Sequence, residues 1–355
     1  MTGWADWVDG ECRAVEAAGR WRRISDLDET LVSFASNDYL GLSQHPAVVA
    51  AAHDALDRWG AGAGAARLVA GSRPVHGELE AAVADWKREP AAVLFPTGYA
   101  ANLGVLTTFG TAGVRIVSDE RNHASIVDGC RLSRAEVCVY RHGDVDHVDD
   151  LLRSSPGRSI VVTATVFSRD GDVATVAALA ERCAAHGALL VLDEAHAVLG
   201  PDPDLDGVDH LRVATLSKHL GSFGGFVAGP RRFVDLLVNR ARPFVFTTAS
   251  SPADAAAGLA ALGVLRSDEG AGLVARLRAN VELVAPGHPS PILPVVIGEE
   301  DAALAVCAAL RQRGLLVPAI RPPTVAPGTS RLRISLSATH TATQLHALLE
   351  GLRAP

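Results

Sequence analysis

Lys218 is the residue of this sequence whose surroundings point most clearly to chemistry. It lies in Ala214-Thr-Leu-Ser-Lys218-His-Leu-Gly-Ser-Phe-Gly-Gly225. The aliphatic and β-branched run 211–216 predicts a strand that ends just before the lysine, and a glycine-rich turn follows. Small neighbours at a strand end leave room for a ligand, so this lysine could form a Schiff base. The ordinary alternative is a solvated loop lysine.

A second segment, Leu190-Val-Leu-Asp193-Glu-Ala-His196, lies about two dozen positions upstream. It is another aliphatic run, and it ends in an acid with a histidine three residues on. Pyridoxal 5'-phosphate (PLP) chemistry requires a lysine for the aldehyde, a carboxylate for the pyridine nitrogen and a ring against the cofactor face. The two segments supply such groups in the right order, and they predict a PLP site.

Strands and helices alternate regularly from about residue 91, which predicts a parallel sheet. Strand 92–95 runs through a turn at Gly98 into a helix that begins near Tyr99, and the free N–H groups of such a helix end suit a phosphate. Strands 159–167 and 189–192 flank a helix in a right-handed βαβ unit. This topology places Ser168, Asp193 and Lys218 at the carboxyl ends of strands, where open α/β sheets bind ligands.

Composition excludes several classes of protein. The 355 residues are 48% hydrophobic and 21% charged with a net charge of −7, which describes a globular protein without the basic stripe of a nucleic-acid binder. Five scattered cysteines without C-x-x-C spacing indicate reduced thiols and no metal site. The first residues lack the pattern of a signal peptide, and the apolar stretch 253–265 is too short to span a membrane. We therefore expect a cytoplasmic protein that does not bind membranes.

The chain is predicted to divide into three parts: an N-terminal helical arm (1–40), a large cofactor-binding domain (41–243) and a small α+β C-terminal domain with its connecting helix (244–355). The glycine-dense segment 60–71 is either a flexible linker or packed structure. Its apolar end, Leu68-Val-Ala70, favours packed structure.

Taken together, these segments and several others resemble the α-oxoamine synthases, a family of fold-type I PLP enzymes. The resemblance covers nearly the whole chain and implies an aspartate aminotransferase-like fold, with a mostly parallel central sheet in the large domain. Its motifs are Ser36-Asn-Asp-Tyr-Leu-Gly-Leu42, Asn122-His-Ala-Ser125, Val166-Phe-Ser-Arg-Asp-Gly-Asp172, Asp193-Glu-Ala-His196, Thr215-Leu-Ser-Lys218 and Arg321-Pro-Pro-Thr324.

The resemblance implies a role for each matching residue. Lys218 would hold the cofactor and move the Cα proton, Asp193 would pair with the pyridine nitrogen, and His123 would stack on the ring. Further cofactor contacts are implied for His196 and Ser168 near the phenolic oxygen, for Gly98, Tyr99 and Thr215 at the phosphate, and for Thr247 or Thr248 from a neighbouring subunit. The active site would then be shared across a homodimer.

The substrate contacts are also implied by the resemblance. Arg321 would hold the amino-acid carboxylate, with Arg333 as a second candidate, because the planar fork of arginine suits a carboxylate. Arg22 would reach the acyl substrate, although Arg20 and Arg23 are close to it in sequence. Asn37 and Thr324 complete the expected set of substrate-binding residues.

The implied reaction is a decarboxylating C-acyl transfer. Within the family, the motifs at 36–42 and 321–329 most resemble the members that condense L-alanine with a pimeloyl thioester in biotin synthesis, on either coenzyme A or a carrier protein. A relative that uses glycine or serine with another acyl donor, and a non-catalytic scaffold that retains the fold, are the alternatives. The segment Ala197-Val-Leu-Gly200 departs from the family pattern and looks two residues shorter.

Overall fold

The computed structural model describes residues 3–22, 24, 26 and 28–353. The strands are β1 (Val32–Ser33), β2 (Ala91–Phe95), β3 (Arg115–Asp119), β4 (Glu136–Tyr140), β5 (Ser159–Ala164), β6 (Leu189–Asp193), β7 (His210–Thr215), β8 (Gly225–Gly229), β9 (Ile292–Gly298), β10 (Leu315–Leu316), β11 (Ala319–Ile320) and β12 (Ser330–Ser335).

The helices are α1 (Trp4–Ala17), α2 (Pro46–Trp59), α3 (Pro74–Lys87), α4 (Gly98–Phe109), α5 (Ala124–Leu132), α6 (Val145–Arg153), α7 (Val176–His186), α8 (Arg231–Arg240), α9 (Arg242–Val245), α10 (Pro252–Leu265), α11 (Asp268–Val284), α12 (Glu300–Gln312) and α13 (Ala342–Arg353). Within the ranges described, no helix combines the length and the apolar character that a membrane crossing requires.

A seven-stranded sheet in the order β2-β8-β7-β6-β5-β3-β4 forms the centre of the molecule. All neighbouring strands are parallel except at β8, which is antiparallel to both β2 and β7. Every residue of β5 and β6 is buried, as expected of parallel strands covered on both faces. The predicted, mostly parallel sheet is confirmed, and it brings the ends of β6 and β7 side by side.

A second, antiparallel sheet, β11-β12-β9, forms the C-terminal α+β region. The N-terminal segment is attached to this region, because β1 pairs with β10. Phe34 and Tyr39 are also buried in the same hydrophobic cluster as Leu332 and Ile334 of β12. The three predicted parts of the chain are thus in close contact, and the boundaries at 40 and 243 stay predictions.

The glycine-dense segment is packed structure. Its residues Arg67–Gly71 form one π-helical turn, and Gly71 is buried. A Cβ atom at Gly71 would lie 2.0 Å from the carbonyl oxygen of Ala65, so only glycine fits there. The Arg67 guanidinium contacts both carboxylate oxygens of Glu80 on α3. These contacts favour packed structure over a flexible linker.

Candidate active site

A cavity of about 210 Å³ opens beside the carboxyl ends of β6 and β7. It is lined by eight of the site residues predicted from the sequence, namely Gly98, Tyr99, His123, Ser168, Asp193, His196, Thr215 and Lys218. It is also lined by three residues that were not predicted, namely Asn102, Ser125 and Ser217. The convergence follows from the topology, since parallel strands all end at this edge.

Asp193 is buried at the end of β6 and held from two directions. The side-chain amide of Asn102 on α4 donates to its Oδ2 across 2.8 Å, and the backbone N–H of Ala195 donates to its Oδ1 across 3.0 Å. Each carboxylate oxygen therefore accepts one hydrogen bond. The side chain is thus fixed as an acceptor beside the cavity, as pairing with a protonated pyridine nitrogen requires.

His123 is tied to the same carboxylate through two polar residues. Its Nδ1 lies 2.8 Å from Ser125 Oγ, and that hydroxyl oxygen accepts a bond of 2.9 Å from the amide of Asn102. Burial lowers the pKa of His123, and the nearby Lys218 adds to this effect while Asp193 opposes it. The imidazole is therefore a mainly neutral ring at physiological pH, which suits a flat wall against an aromatic cofactor.

Lys218 contacts His196 on the opposite wall of the cavity. Its Nζ is 2.7 Å from His196 Nε2, and His196 Nδ1 is 2.6 Å from the hydroxyl of Tyr39. Burial lowers the pKa of Lys218 to about 8, with a further lowering from Arg333 and an opposing effect from Asp193. A lysine with this pKa keeps a useful fraction of free amine near neutral pH, unlike a solvated loop lysine.

The N-terminus of α4 forms the third wall. Thr97 caps it by accepting from the N–H of Ala100, while Gly98 and Tyr99 occupy the first turn, whose N–H groups have no carbonyl partner one turn back. Strand β8 passes so close that a Cβ at Gly225 would lie 2.5 Å from the nitrogen of Gly98. Thr215 currently donates its hydroxyl hydrogen to the carbonyl of Gly224, and rotation of the hydroxyl would redirect it.

These groups fit PLP. The lysine amine suits the aldehyde of the cofactor, and the fixed carboxylate suits its pyridine nitrogen. The neutral imidazole suits a face of the ring, and the positive end of a twelve-residue helix suits the phosphate. Gly225 lets β8 pass against the backbone of residues 97 and 98, where a Cβ would lie 2.5 Å from backbone atoms, and so holds the start of α4 at the cavity.

The expected substrate residues lie in two places. Arg333 on β12 is buried next to the main cavity, where its Nη2 donates to Asn37 Oδ1 across 3.1 Å and its Nε donates to the carbonyl of Ser168. Arg22, Arg321 and Thr324 line a separate cavity of about 220 Å³, together with Arg20.

Arg321 makes its described contacts away from the lysine. Its Nη1 donates to the carbonyl of Gly19 across 3.3 Å and lies 3.8 Å from a carboxylate oxygen of Glu300. Thr247 and Thr248 follow α9, outside both cavities. The alternative Arg23 lies outside the described residues.

A mostly parallel sheet that presents a lysine, an aspartate, a histidine and a helix N-terminus at one edge defines a fold-type I PLP-dependent transferase. The chain belongs to the aminotransferase class I and II family, whose model matches residues 29–352. The predicted fold class is thereby confirmed.

Comparison with known proteins shows to which group of fold-type I PLP-dependent transferases the chain is similar. An 8-amino-7-oxononanoate synthase from Anaeromyxobacter dehalogenans (strain 2CP-1) is 49% identical over 384 residues, which cover 98% of this chain and 95% of that protein. A serine palmitoyltransferase from S. paucimobilis, solved with PLP and myriocin bound, superposes with a TM-score of 0.90 at 28% identity over 98% of this chain and 96% of its own. The 8-amino-7-oxononanoate synthase of Francisella tularensis superposes with a TM-score of 0.76 at 26% identity, covering 92% and 97%. The predicted α-oxoamine synthase family is confirmed.

Proposed function

We propose that this chain catalyses the reaction of the 8-amino-7-oxononanoate synthases, the decarboxylative condensation of L-alanine with a pimeloyl thioester in biotin biosynthesis. The observation that carries the proposal is the meeting of Lys218, Asp193 and His123 in one cavity of a chain that is 49% identical to such an enzyme along nearly its whole length. The presence of Lys218, Asp193 and His123 in one cavity disfavours the scaffold hypothesis.

The cofactor is PLP, and when bound it supplies an electron sink that stabilises negative charge at the amino-acid Cα. Lys218 would hold it through the side-chain amine. Asp193 would hold the ring nitrogen, His123 would face the ring, and the N–H groups of Gly98 and Tyr99 would bind the phosphate. The hydroxyls of Ser168 and Thr215 and the imidazole of His196 complete the contacts.

Lys218 is also the acid–base group of the proposed reaction. Its Nζ lies in the cavity with a depressed pKa, so as a free amine it could remove the Cα proton of alanine. The same group could return a proton to that carbon when carbon dioxide is lost. Asp193 stays oriented towards the cavity, because the Asn102 amide and the Ala195 N–H each donate to one of its carboxylate oxygens.

Arg333 is better placed than Arg321 to bind the alanine carboxylate. It is 9% exposed and contacts Ser168, a residue of the cavity wall, whereas the described contacts of Arg321 lie with the N-terminal segment and α12. A bound carboxylate fixes which Cα bond breaks, because it orients the substrate against the ring. Asn37, in contact with Arg333, would share that carboxylate.

The cavity of Arg22, Arg321 and Thr324 suits the acyl substrate. A pimeloyl chain carries a carboxylate at its far end, and an arginine fork binds such a group with two charge-assisted hydrogen bonds. Arg20 is partly neutralised by its ion pair with Glu300. Of the two N-terminal arginines that line this cavity, Arg22 is therefore the one we assign to the acyl chain.

We further propose a homodimer in which Thr247 or Thr248 completes the partner's phosphate site. Apolar side chains near this segment are exposed, namely Leu68 (55%), Val69 (80%) and Phe246 (72%), and a second subunit would cover them. A mixture of the Lys218→Ala subunit with a subunit carrying Thr247→Ala and Thr248→Ala tests this. If the sites are shared, each mixed dimer has one site with an intact Lys218 from one subunit and intact threonines from the other, and activity returns. If activity does not return, the threonines act in their own subunit.

The amino-acid specificity is tested with the PLP-loaded protein. Absorbance changes are recorded during titration with L-alanine, glycine and L-serine, before and after addition of pimeloyl-CoA. We expect saturation at the lowest concentration with alanine, and thiol release only with alanine and the thioester together. A response confined to serine or glycine would retain the family and overturn the substrate. Cytoplasmic location and the choice between coenzyme A and a carrier protein stay predictions.

A further inference from the structure

A continuous chain of hydrogen bonds joins Lys218 to Arg333. Lys218 Nζ is 2.7 Å from His196 Nε2, and His196 Nδ1 is 2.6 Å from the Tyr39 hydroxyl. That hydroxyl is 3.1 Å from Asn37 Oδ1, which is also 3.1 Å from Nη2 of Arg333. Tyr39 is fully buried, so solvent does not compete for its hydroxyl.

The direction of each bond follows from Arg333. A guanidinium only donates, so the Asn37 atom facing it is the amide oxygen, which only accepts. Tyr39 must therefore donate to Asn37, and it has a hydrogen to give, because burial raises the pKa of the phenol to about 12. The hydroxyl oxygen in turn accepts the Nδ1–H of His196.

His196 then has a lone pair on Nε2. Burial lowers the pKa of His196 well below its usual range, so the ring is neutral and carries a single hydrogen. With that hydrogen on Nδ1, Nε2 is an acceptor for an N–H of Lys218. The opposite tautomer would be compatible with Tyr39 only if the phenol gave up its bond to Asn37 and donated to Nδ1 instead.

We propose that Tyr39 is a positioning residue that holds His196 in the Nδ1–H tautomer and so presents the Nε2 lone pair to Lys218. Because Nζ commits one hydrogen to His196, the lone pair of the neutral amine is directed away from the imidazole. The chain starts at Arg333, so it connects the proposed carboxylate site to the base. This connection rests on the proposed function, whereas the tautomer does not.

The tautomer is measured on cofactor-free protein labelled with ¹⁵N in its histidine rings, by long-range ¹H–¹⁵N correlation. The His196→Gln variant identifies the signals of that ring. We expect the Nδ1–H form in the wild type and a shift towards Nε2–H in Tyr39→Phe, which removes the acceptor of the Nδ1 hydrogen. Tyr140→Phe is the matched control, because the Tyr140 hydroxyl is buried without a hydrogen-bond partner among the described residues.

A second signal is the pKa of Lys218, read from the pH dependence of its acetylation by acetic anhydride and peptide mass spectrometry. In Tyr39→Phe the Lys218 ammonium loses His196 Nε2 as an acceptor, so the pKa of Lys218 should fall by about 1. The other groups that face the lysine and His196 are unchanged by the substitution, namely Asp193, Arg333, His123 and His219. Tyr140→Phe leaves the midpoint unchanged.

An Nε2–H ring in the wild type, or the same tautomer and lysine midpoint in Tyr39→Phe, would overturn the proposal. If Tyr39→Phe does not fold, two variants of Asn37 replace it. Asn37→Asp keeps an acceptor for the phenol and retains the tautomer, whereas Asn37→Leu removes it and releases the tautomer. None of these readouts involves turnover, so a failure here leaves the proposed reaction standing, and a failure of that reaction leaves the tautomer measurable.

Discussion

Asn102 donates its side-chain amide to Asp193 across 2.8 Å, from the second turn of α4 to the end of β6. The other hydrogen of the same amide goes to Ser125, which contacts His123. One asparagine thus orients the carboxylate and, through a serine, the imidazole. A helix whose N-terminus is suited to phosphate therefore also positions two groups that would contact the cofactor ring.

The Asp193→Asn substitution tests the charge of this carboxylate. The asparagine side chain has nearly the same shape as the aspartate, so the protein should still take up PLP, with its characteristic absorbance. Turnover should fall by about 10²-fold or more, because the ring nitrogen loses its anionic partner. Wild-type turnover in this variant would contradict the assigned pairing.

The roles proposed for Arg333 and Arg321 predict that their substitution affects the KM of different substrates. Arg333→Gln should raise the KM for L-alanine by about 10- to 100-fold, the effect expected from loss of hydrogen bonds to a charged group. Arg321→Gln should leave the KM for alanine nearly unchanged and raise the KM for pimeloyl-CoA. Steady-state kinetics with each substrate varied in turn distinguish the two. A rise in the alanine KM for Arg321→Gln alone would restore the assignment made from the sequence.

The depressed pKa of Lys218 predicts the pH dependence of cofactor attachment. Only the free amine reacts, and a pKa of about 8 leaves about one amine in ten free at pH 7, against fewer than about one in a thousand for an ordinary lysine. The rate of PLP attachment to the cofactor-free protein should therefore rise with pH, reach half its maximum near pH 8 and level off above about pH 9. Stopped-flow absorbance measures it, and a rate still rising steeply at pH 10 would contradict this pKa.

A buried ionic cluster next to the site should contribute strongly to stability. Glu194 is 1% exposed and lies 2.7 Å from both Arg212 Nη1 and Lys87 Nζ. Glu194→Gln removes the buried charge between the two cations, leaves Lys87 without its carboxylate and leaves Arg212 with only Glu89 and Asp202, so it should lower the free energy of unfolding by about 3 kcal/mol. Glu300→Gln, which breaks a surface ion pair with Arg20, is the control and should have a much smaller effect in urea titrations. Equal effects of the two substitutions would contradict the argument.

The sequence predicted most of the fold because local patterns and topology agree. The continuous aliphatic runs correctly predicted strands β5 and β6, and the turn at Gly98 correctly predicted the start of helix α4. The parallel topology then brings the carboxyl ends of the strands together. Boundaries were less accurate: the strand expected over residues 159–167 ends at Ala164. Val166 instead forms an isolated antiparallel bridge with Val173.

Contacts between distant segments could not be predicted from local patterns. Tyr39 and His196 are 157 positions apart, and Asn37 and Arg333 are 296 apart, yet both pairs form hydrogen bonds. Nothing in the spacing of these residues indicates that β1 pairs with β10 and carries the N-terminal segment to the active site. Asn102 could have been recognised as a candidate site residue, because it is the lone polar residue within the apolar run Ala100–Leu106.

The most direct test of the central claim is a stoichiometric turnover experiment with L-alanine labelled with ¹³C in its carboxyl group and pimeloyl-CoA. We predict that the PLP-loaded protein releases one labelled carbon dioxide and one free coenzyme A for each 8-amino-7-oxononanoate detected by mass spectrometry. The folded Lys218→Ala variant should lose at least about 10³-fold of this activity. Retention of the label in the product, or undiminished turnover without Lys218, would contradict the account.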